Sequence, residues 1–285
     1  MTIQEAYQDI IASLQNIYPP DEAANIADLV MERITDMDRS KRRINGSSLL
    51  GSENTCQLDI IKNELSKNRP VQYVLGEAWF MGMPFYVNES VLIPRPETEE
   101  LVDWIINDIR GSKFPPSILD IGTGSGCIPV SLKKNLPAAS VSAIDICEKA
   151  LRVAERNAAA RGTMISYFQL NILRRDQREK LPKFHVIVSN PPYITKQEMK
   201  LMNANVLNYE PHLALFVPDN DPLLFYRAIG EFASTHLHQG GRLYVEMHED
   251  NAEETAELFR QLNFPRVEIR KDMQGKKRMC LCVKD

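Results

Sequence analysis

Ser117-Ile118-Leu119-Asp120-Ile121-Gly122-Thr123-Gly124-Ser125-Gly126-Cys127 reads as a short apolar strand that runs into a glycine turn and then a helix. Glycines in such a turn permit positive φ and let a ligand approach the backbone closely. The spacing is GxGxG with Cys127 at the sixth position, so it departs from the GxGxxG dinucleotide fingerprint. No Gly-Lys-Ser/Thr follows, which excludes a P-loop.

Working outward, strand and helix alternate from about residue 97. Helices are predicted over Glu97–Ile109, Glu148–Arg161 and Leu223–His236. Further strands are predicted at Val141–Ile146, Ile165–Leu170, Phe184–Ser189, Arg242–Met247 and Val267–Arg270, with Cys280-Leu281-Cys282 also strand-like. This alternation implies an α/β, doubly wound sheet with ligands at the carboxyl ends of its strands. Upstream the period is different. Ile3, Tyr7, Ile10, Ile11, Leu14 and Ile17 share a helical face. Pro19-Pro20-Asp21-Glu22 stops that helix and opens a second, carrying Ile26, Leu29, Val30 and Ile34. Residues 44–54 form a turn-rich connector, and Leu58, Ile61 and Leu65 mark a third helix that Pro70 ends. Trp79-Phe80, Pro84-Phe85-Tyr86-Val87 and Val91-Leu92-Ile93 suggest a β-hairpin. The expected division is a helical domain over 1–75, a hairpin linker over 76–95 and an α/β domain over 96–285.

Composition narrows the functional classes. The chain has 285 residues, 44% hydrophobic and 25% charged, which is ordinary for globular proteins. The net charge of −4 argues against holding nucleic acid through a global field. The start, MTIQEAYQDI, has no signal-peptide core, and no run of 18 apolar residues exists, so a cytoplasmic protein is expected, without membrane association. Five cysteines and five histidines show no ligand spacing, so no metal is expected and the cysteines read as reduced packing residues. The basic runs Lys41-Arg42-Arg43 and Lys276-Lys277-Arg278 read as solvated faces.

Two acids sharpen the glycine turn. Asp120 precedes it, where a carboxylate repels a pyrophosphate and attracts a cation. Asp145 closes the next strand, where an acid can accept hydrogen bonds from ribose hydroxyls. A positively charged nucleoside without phosphate fits both, and S-adenosylmethionine is such a molecule. The alternative is that both acids are strand-end caps. The strand Phe184–Ser189 ends in Asn190-Pro191-Pro192-Tyr193, two prolines that stiffen the chain and cannot pair in a central sheet. Asn190 offers an amide oxygen, Pro191 a carbonyl and Tyr193 a ring face. Two acceptors gripping the hydrogens of a planar nitrogen would orient it and stabilise the positive charge that develops on transfer. An Asn-initiated proline turn is the structural alternative.

The sequence resembles the release factor glutamine methyltransferases. The resemblance rests on Pro70-Val71-Gln72-Tyr73, Gly76, Trp79-Phe80, Val91-Leu92-Ile93-Pro94-Arg95-Pro96-Glu97-Thr98-Glu99, the glycine turn, Asn190-Pro191-Pro192-Tyr193-Ile194, Tyr209-Glu210-Pro211 and Asp221-Pro222-Leu223. It implies a seven-stranded, mostly parallel Rossmann-like methyltransferase sheet with the helical domain docking the substrate. It implies S-adenosyl-L-methionine as cofactor, S-adenosyl-L-homocysteine as product, and the Gly-Gly-Gln loop of class-I peptide chain release factors as partner. The implied catalytic residues are Asn190, Pro191, Pro192 and Tyr193, the last two shaping and walling the pocket. The implied cofactor residues are Gly122, Thr123, Gly124, Ser125, Gly126, Asp145, Asn171, Ile172 and Asn190, with Arg95, Pro96, Glu97 and Thr98 close by. Arg95 and Glu97 can equally form an ion pair at a helix start. Asn171 stands where the family often has an acid, and no glycine and glutamine follow Glu246. Because the Asn-Pro-Pro-Tyr turn is shared with nucleic-acid amino methyltransferases, an exocyclic amine of a base is the alternative target; a non-catalytic cofactor-binding module is a third reading.

Overall fold

A computed structural model describes residues 1–112 and 114–285. The chain divides into two compact units, one of Met1–Glu77 with Asn203–Tyr209, the other of Ala78–Met202 with Glu210–Asp285. The Asn203–Tyr209 segment therefore leaves the 96–285 span in which the sequence reading places it.

The first unit is helical: α1 (Ile3–Leu14), α2 (Pro20–Thr35), α3 (Arg39–Ile44), α4 (Ser52–Leu65) and α5 (Val71–Leu75). Thr2 and Glu5 cap α1 reciprocally, each side chain bonding the other's backbone N–H. Ile3, Ile10, Leu14, Ile26, Val30, Ile34, Leu58, Ile61 and Leu65 are buried in one core, whereas Ile17 and Leu29 of the same predicted faces are exposed. Pro70 sits before α5 and opens it, after α4 has already ended at Leu65. Arg42, read from sequence as solvated, is buried and pairs with Asp28 at 2.5 Å.

Apart from Glu77, which falls in the first unit, the second unit begins with the hairpin β1 (Glu77–Phe80) and β2 (Met83–Tyr86), then α6 (Pro96–Ile109). Val91-Leu92-Ile93 is not a strand; it is loop, and Pro94 and Pro96 behind it remove the N–H groups a ladder would need. There follow β3 (Ser117–Ile121), α7 (Cys127–Asn135), β4 (Ser140–Asp145), α8 (Glu148–Ala160), β5 (Ser166–Gln169), α9 (Arg175–Arg178), β6 (Phe184–Ser189) and β7 (Ile194–Thr195). After α10 (Ala204–Tyr209), which belongs to the first unit, come α11 (His212–Leu215), β8 (Phe216–Val217), α12 (Leu224–His236), β9 (Leu237–Glu246), α13 (Ala252–Gln261), β10 (Arg266–Lys271) and β11 (Lys277–Val283).

Seven strands form one sheet in the order β10-β11-β9-β6-β3-β4-β5. The five central and far strands are parallel, and β11 runs antiparallel to both β9 and β10. Residues of α6, α7 and the hairpin pack one face, residues of α12 and α13 the other. The sheet is therefore doubly wound, with β3 at the point where chain order reverses and a crevice opens at the carboxyl ends. Among the described residues, no helix is long and apolar enough to cross a membrane.

Candidate functional site

Register decides what meets at that crevice. Ile121 of β3 pairs with Ile144 of β4 on one side and Ser189 of β6 on the other, and Ser189 pairs in turn with Val245 of β9. The next residue of each strand, namely Gly122, Asp145, Asn190 and Glu246, therefore lies at one level along the carboxyl edge. The Ser189 hydroxyl donates to the Ile121 carbonyl at 2.7 Å and locks β3 to β6 at this level.

The glycine turn is held from below and from the side. Gly122 and Thr123 N–H groups both donate to the Ile144 carbonyl, at 2.9 and 3.0 Å. Gly122, Gly124 and Gly126 all have positive φ (75°, 53° and 79°), a region costly for residues with a Cβ. Gly126 also lies against α8: a Cβ there would stand 2.9 Å from the Ala154 Cβ. Gly126→Ala is therefore expected to lower stability by about 2 kcal/mol from backbone strain and overpacking together. Thermal unfolding followed by tryptophan fluorescence checks this, since both tryptophans, Trp79 and Trp104, lie in this unit; an unchanged midpoint would contradict it. Asn157 of α8 completes the support, its Nδ2 donating to the Ser125 and Tyr86 carbonyls and its Oδ1 accepting from Tyr86 N–H.

The Asp145 carboxylate accepts from Gly124 N–H at 2.9 Å and from Cys147 N–H at 2.8 Å. Burial pushes its pKa up, opposed by those backbone donors. It is thus a brace for the turn, with lone pairs to spare toward the cavity it lines. Asp120 behaves otherwise than the sequence reading expects. Strand alternation turns it into the face covered by α6 and α7, where it is fully buried, does not line the cavity and has no hydrogen-bond partner on either oxygen. Burial pushes its pKa up to about 7, opposed by the nearby Thr123 hydroxyl and helped by the Asp145 charge.

The cavity holds about 360 Å³. The structure brings together around it Gly122 to Ser125, Asp145, Asn171 and Ile172, then Asn190 to Pro192, and Arg95 with Thr98. Gly126, Glu97 and Tyr193 are not part of its lining. Gly126 is turned against α8, and Glu97 lies on the first turn of α6. Tyr193, instead of walling the cavity, sends its hydroxyl to Glu246 Oε1 at 3.1 Å and sets its ring edge-on to His248. The Asn171 side-chain oxygen accepts from Leu173 N–H at 2.9 Å, folding the loop after β5 on itself. Arg95 pairs with buried Glu210 at 2.6 Å and not with Glu97.

Asn190 carries the most specific geometry. Its Nδ2 donates to the Thr98 hydroxyl at 3.1 Å, and that hydroxyl donates to Glu246 Oε2 at 2.6 Å. Glu246 is buried, which pushes its pKa up, while the Thr98 and Tyr193 hydroxyls and the Arg278 guanidinium pull it down. Glu246, Asn157 and Glu210 therefore matter to the site more than sequence reasoning indicates, while Thr98 is among the residues the resemblance places beside the cofactor. Only the resemblance flags Thr98 and Glu210, and no local signal marks Glu246 or Asn157.

Residues 104–211 match the family model described as Methyltransferase small domain. A relative from Flavobacterium psychrophilum named release factor glutamine methyltransferase is 43% identical over 98% of this chain and 98% of its own length. One of the same name from Bacteroides thetaiotaomicron is 40% identical over 94% and 95%. Among solved structures, the methyltransferase domain of METTL16 superposes with a TM-score of 0.52 at 17% identity, covering 70% of this chain and 87% of that one. That likeness speaks to the fold alone.

Proposed function

The chain belongs to the release factor glutamine methyltransferase family, and from that premise we propose that it transfers the methyl group of S-adenosyl-L-methionine to the side-chain amide nitrogen of the glutamine in the Gly-Gly-Gln motif of class-I peptide chain release factors, leaving S-adenosyl-L-homocysteine. The observation that carries this reading is Asn190, level with the glycine turn, its Nδ2 engaged by Thr98 and its Oδ1 without a protein partner among the described residues.

The residues fit that cofactor. Gly122 and Gly124 have no atom within 4 Å of where a Cβ would stand, so their backbone is open to the cavity. Asp145 has lone pairs left for ribose hydroxyls, and Ile121 and Ile172 offer apolar walls to a flat base. A volume of about 360 Å³ is in the range of small-molecule sites. In this reading Gly122 to Gly126, Asp145, Asn171 and Ile172 hold or shape the cofactor site, with Arg95 and Thr98 beside it. Bound there, the cofactor supplies an electrophilic methyl group on a sulfonium.

The remaining work falls to Asn190 and Pro191. An amide nitrogen is a poor nucleophile because its lone pair is delocalised. Asn190 Oδ1 and the Pro191 carbonyl accept its two hydrogens and so aim the nitrogen. As positive charge grows on that nitrogen, both hydrogen bonds strengthen. One proton then leaves to water, so no strong base is needed. The helical unit, Met1–Glu77 with Asn203–Tyr209, is assigned to release-factor docking. The enzyme acts in the cytoplasm in this reading.

The test is incubation of the full chain with methyl-labelled cofactor and a purified class-I release factor, followed by peptide mass spectrometry. One labelled methyl on the Gly-Gly-Gln glutamine is expected. An unmodified glutamine with cofactor-bound enzyme, or label found on nucleic acid instead, would overturn the proposal.

A further inference from the structure

A carboxamide is nearly symmetrical in shape but not in chemistry. Turned one way, Asn190 presents an acceptor to the cavity; turned the other, it presents a donor. Only the first sense can grip an amide hydrogen. Something in the protein has to choose between them.

We propose that Glu246 makes this choice as a positioning residue, acting through the Thr98 hydroxyl to fix the sense of the Asn190 carboxamide. The proposal rests on the role given to Asn190 above. The argument runs on hydrogen counting. Thr98 has one hydroxyl hydrogen, and at 2.6 Å it is committed to Glu246 Oε2. The Thr98 oxygen can then only accept from Asn190, so the group facing it at 3.1 Å has to be the Nδ2 amine. With the carboxamide reversed, Oδ1 would meet the Thr98 oxygen with no hydrogen between them. Oδ1 is thereby left for the substrate side.

Glu246 can impose this direction because its carboxylate oxygens accept from hydroxyls. It takes two hydroxyls, Thr98 at 2.6 Å and Tyr193 at 3.1 Å. Burial works against a charge on Glu246, and those two hydroxyls with the Arg278 guanidinium offset part of it. The three residues come from three elements: Glu246 ends β9, Asn190 follows its neighbour β6 and Thr98 lies in the first turn of α6. A glutamine at 246 would keep the shape but lose the direction. Its amine could donate to Thr98, freeing the Thr98 hydrogen for Asn190 Oδ1 and turning the Asn190 amine toward the substrate.

The experiment is a double-mutant cycle on the full chain, with release factor methylation and S-adenosyl-L-homocysteine binding measured for each variant. Glu246→Gln and Thr98→Val are each expected to lower kcat by about tenfold, with cofactor dissociation constants changed by less than about threefold. Thr98→Ser, which keeps the hydroxyl, is expected to recover most of the turnover that Thr98→Val loses. In an Asn190→Ala background, Glu246→Gln is expected to change kcat by less than about twofold, because the group it positions is gone. Multiplicative losses in that background, or a Glu246→Gln enzyme with wild-type kcat, would overturn the proposal. Should Glu246→Gln fail to fold, seen as lost cofactor binding, the Thr98→Ser and Thr98→Val pair decides alone, and equal turnover in the two would overturn it; should Thr98→Val fail, the Glu246→Gln and Asn190→Ala cycle decides alone. If the wild-type enzyme leaves the glutamine unmethylated, the failure is that of the functional reading and not of the Glu246 relay.

Discussion

Asn190→Ala is expected to lower turnover by about two to three orders of magnitude while leaving cofactor affinity within a few-fold, the scale seen when one group stabilising charge in a transition state is removed. The reasoning is geometric. Asn190 follows β6, next to Ser189, whose register with Ile121 and whose hydrogen bond to it set the level of the strand end. Two prolines behind it stiffen the backbone, so truncating the side chain leaves the shelf in place. The glycine turn and Asp145 depend on other contacts, from the Ile144 carbonyl, Gly124 and Cys147. What disappears is an acceptor for the target amide and its partnership with Thr98. Single-turnover methylation at saturating cofactor and release factor isolates this step. An Asn190→Ala enzyme with normal single-turnover chemistry, or one whose defect is wholly in cofactor binding, would contradict the assigned role.

The second large effect concerns Asp120 and appears in stability. Asp120→Asn is expected to become progressively more stable than wild type as pH rises from about 4 to about 7, and to keep that margin above. Burial raises the folded-state pKa to about 7 from an ordinary value of 3.8. Between those two values the folded protein binds a proton that the unfolded chain has released. Stability therefore falls as pH rises through that window. The accumulated cost is on the order of 4 kcal/mol, from the roughly three-unit displacement. Asparagine cannot ionise and escapes it. With the cofactor absent, the difference in unfolding midpoint, read by tryptophan fluorescence, is expected to widen to several degrees by pH 7 and then level off. A difference that stays flat from pH 4.5 to 8 would show that Asp120 is not held protonated by the fold.

Much of this unit is written locally. Ser117–Ile121 and Phe184–Ser189 form as predicted, because short apolar runs bounded by glycine or proline leave little choice of register or length. The glycine turn and the Asn190-Pro191-Pro192 segment are equally legible, since positive φ and missing N–H groups are properties of those residues themselves. Partnerships across the fold are not. Thr98 and Glu246 are 148 residues apart, and Arg95 and Glu210 are 115 apart. A sequence shows their chemistry but not the register that makes them neighbours. The place of Asp120 is hidden for the same reason: its acid type is visible, while the face it takes depends on which side of β3 the helices cover. Tyr193 looks like a stacking surface until Glu246 is seen beside it. Val91-Leu92-Ile93 reads as a strand from its apolar run, yet only the prolines that follow reveal why it stays a loop.

The most direct measurement is a crystal structure of the full chain with S-adenosyl-L-homocysteine and a glutamine-containing Gly-Gly-Gln peptide. The glutamine side-chain nitrogen is expected within hydrogen-bond reach, about 3 Å, of both Asn190 Oδ1 and the Pro191 carbonyl, with Asn190 Nδ2 still on Thr98. A glutamine nitrogen held by other groups, or an Asn190 whose amine faces the peptide, would contradict that arrangement.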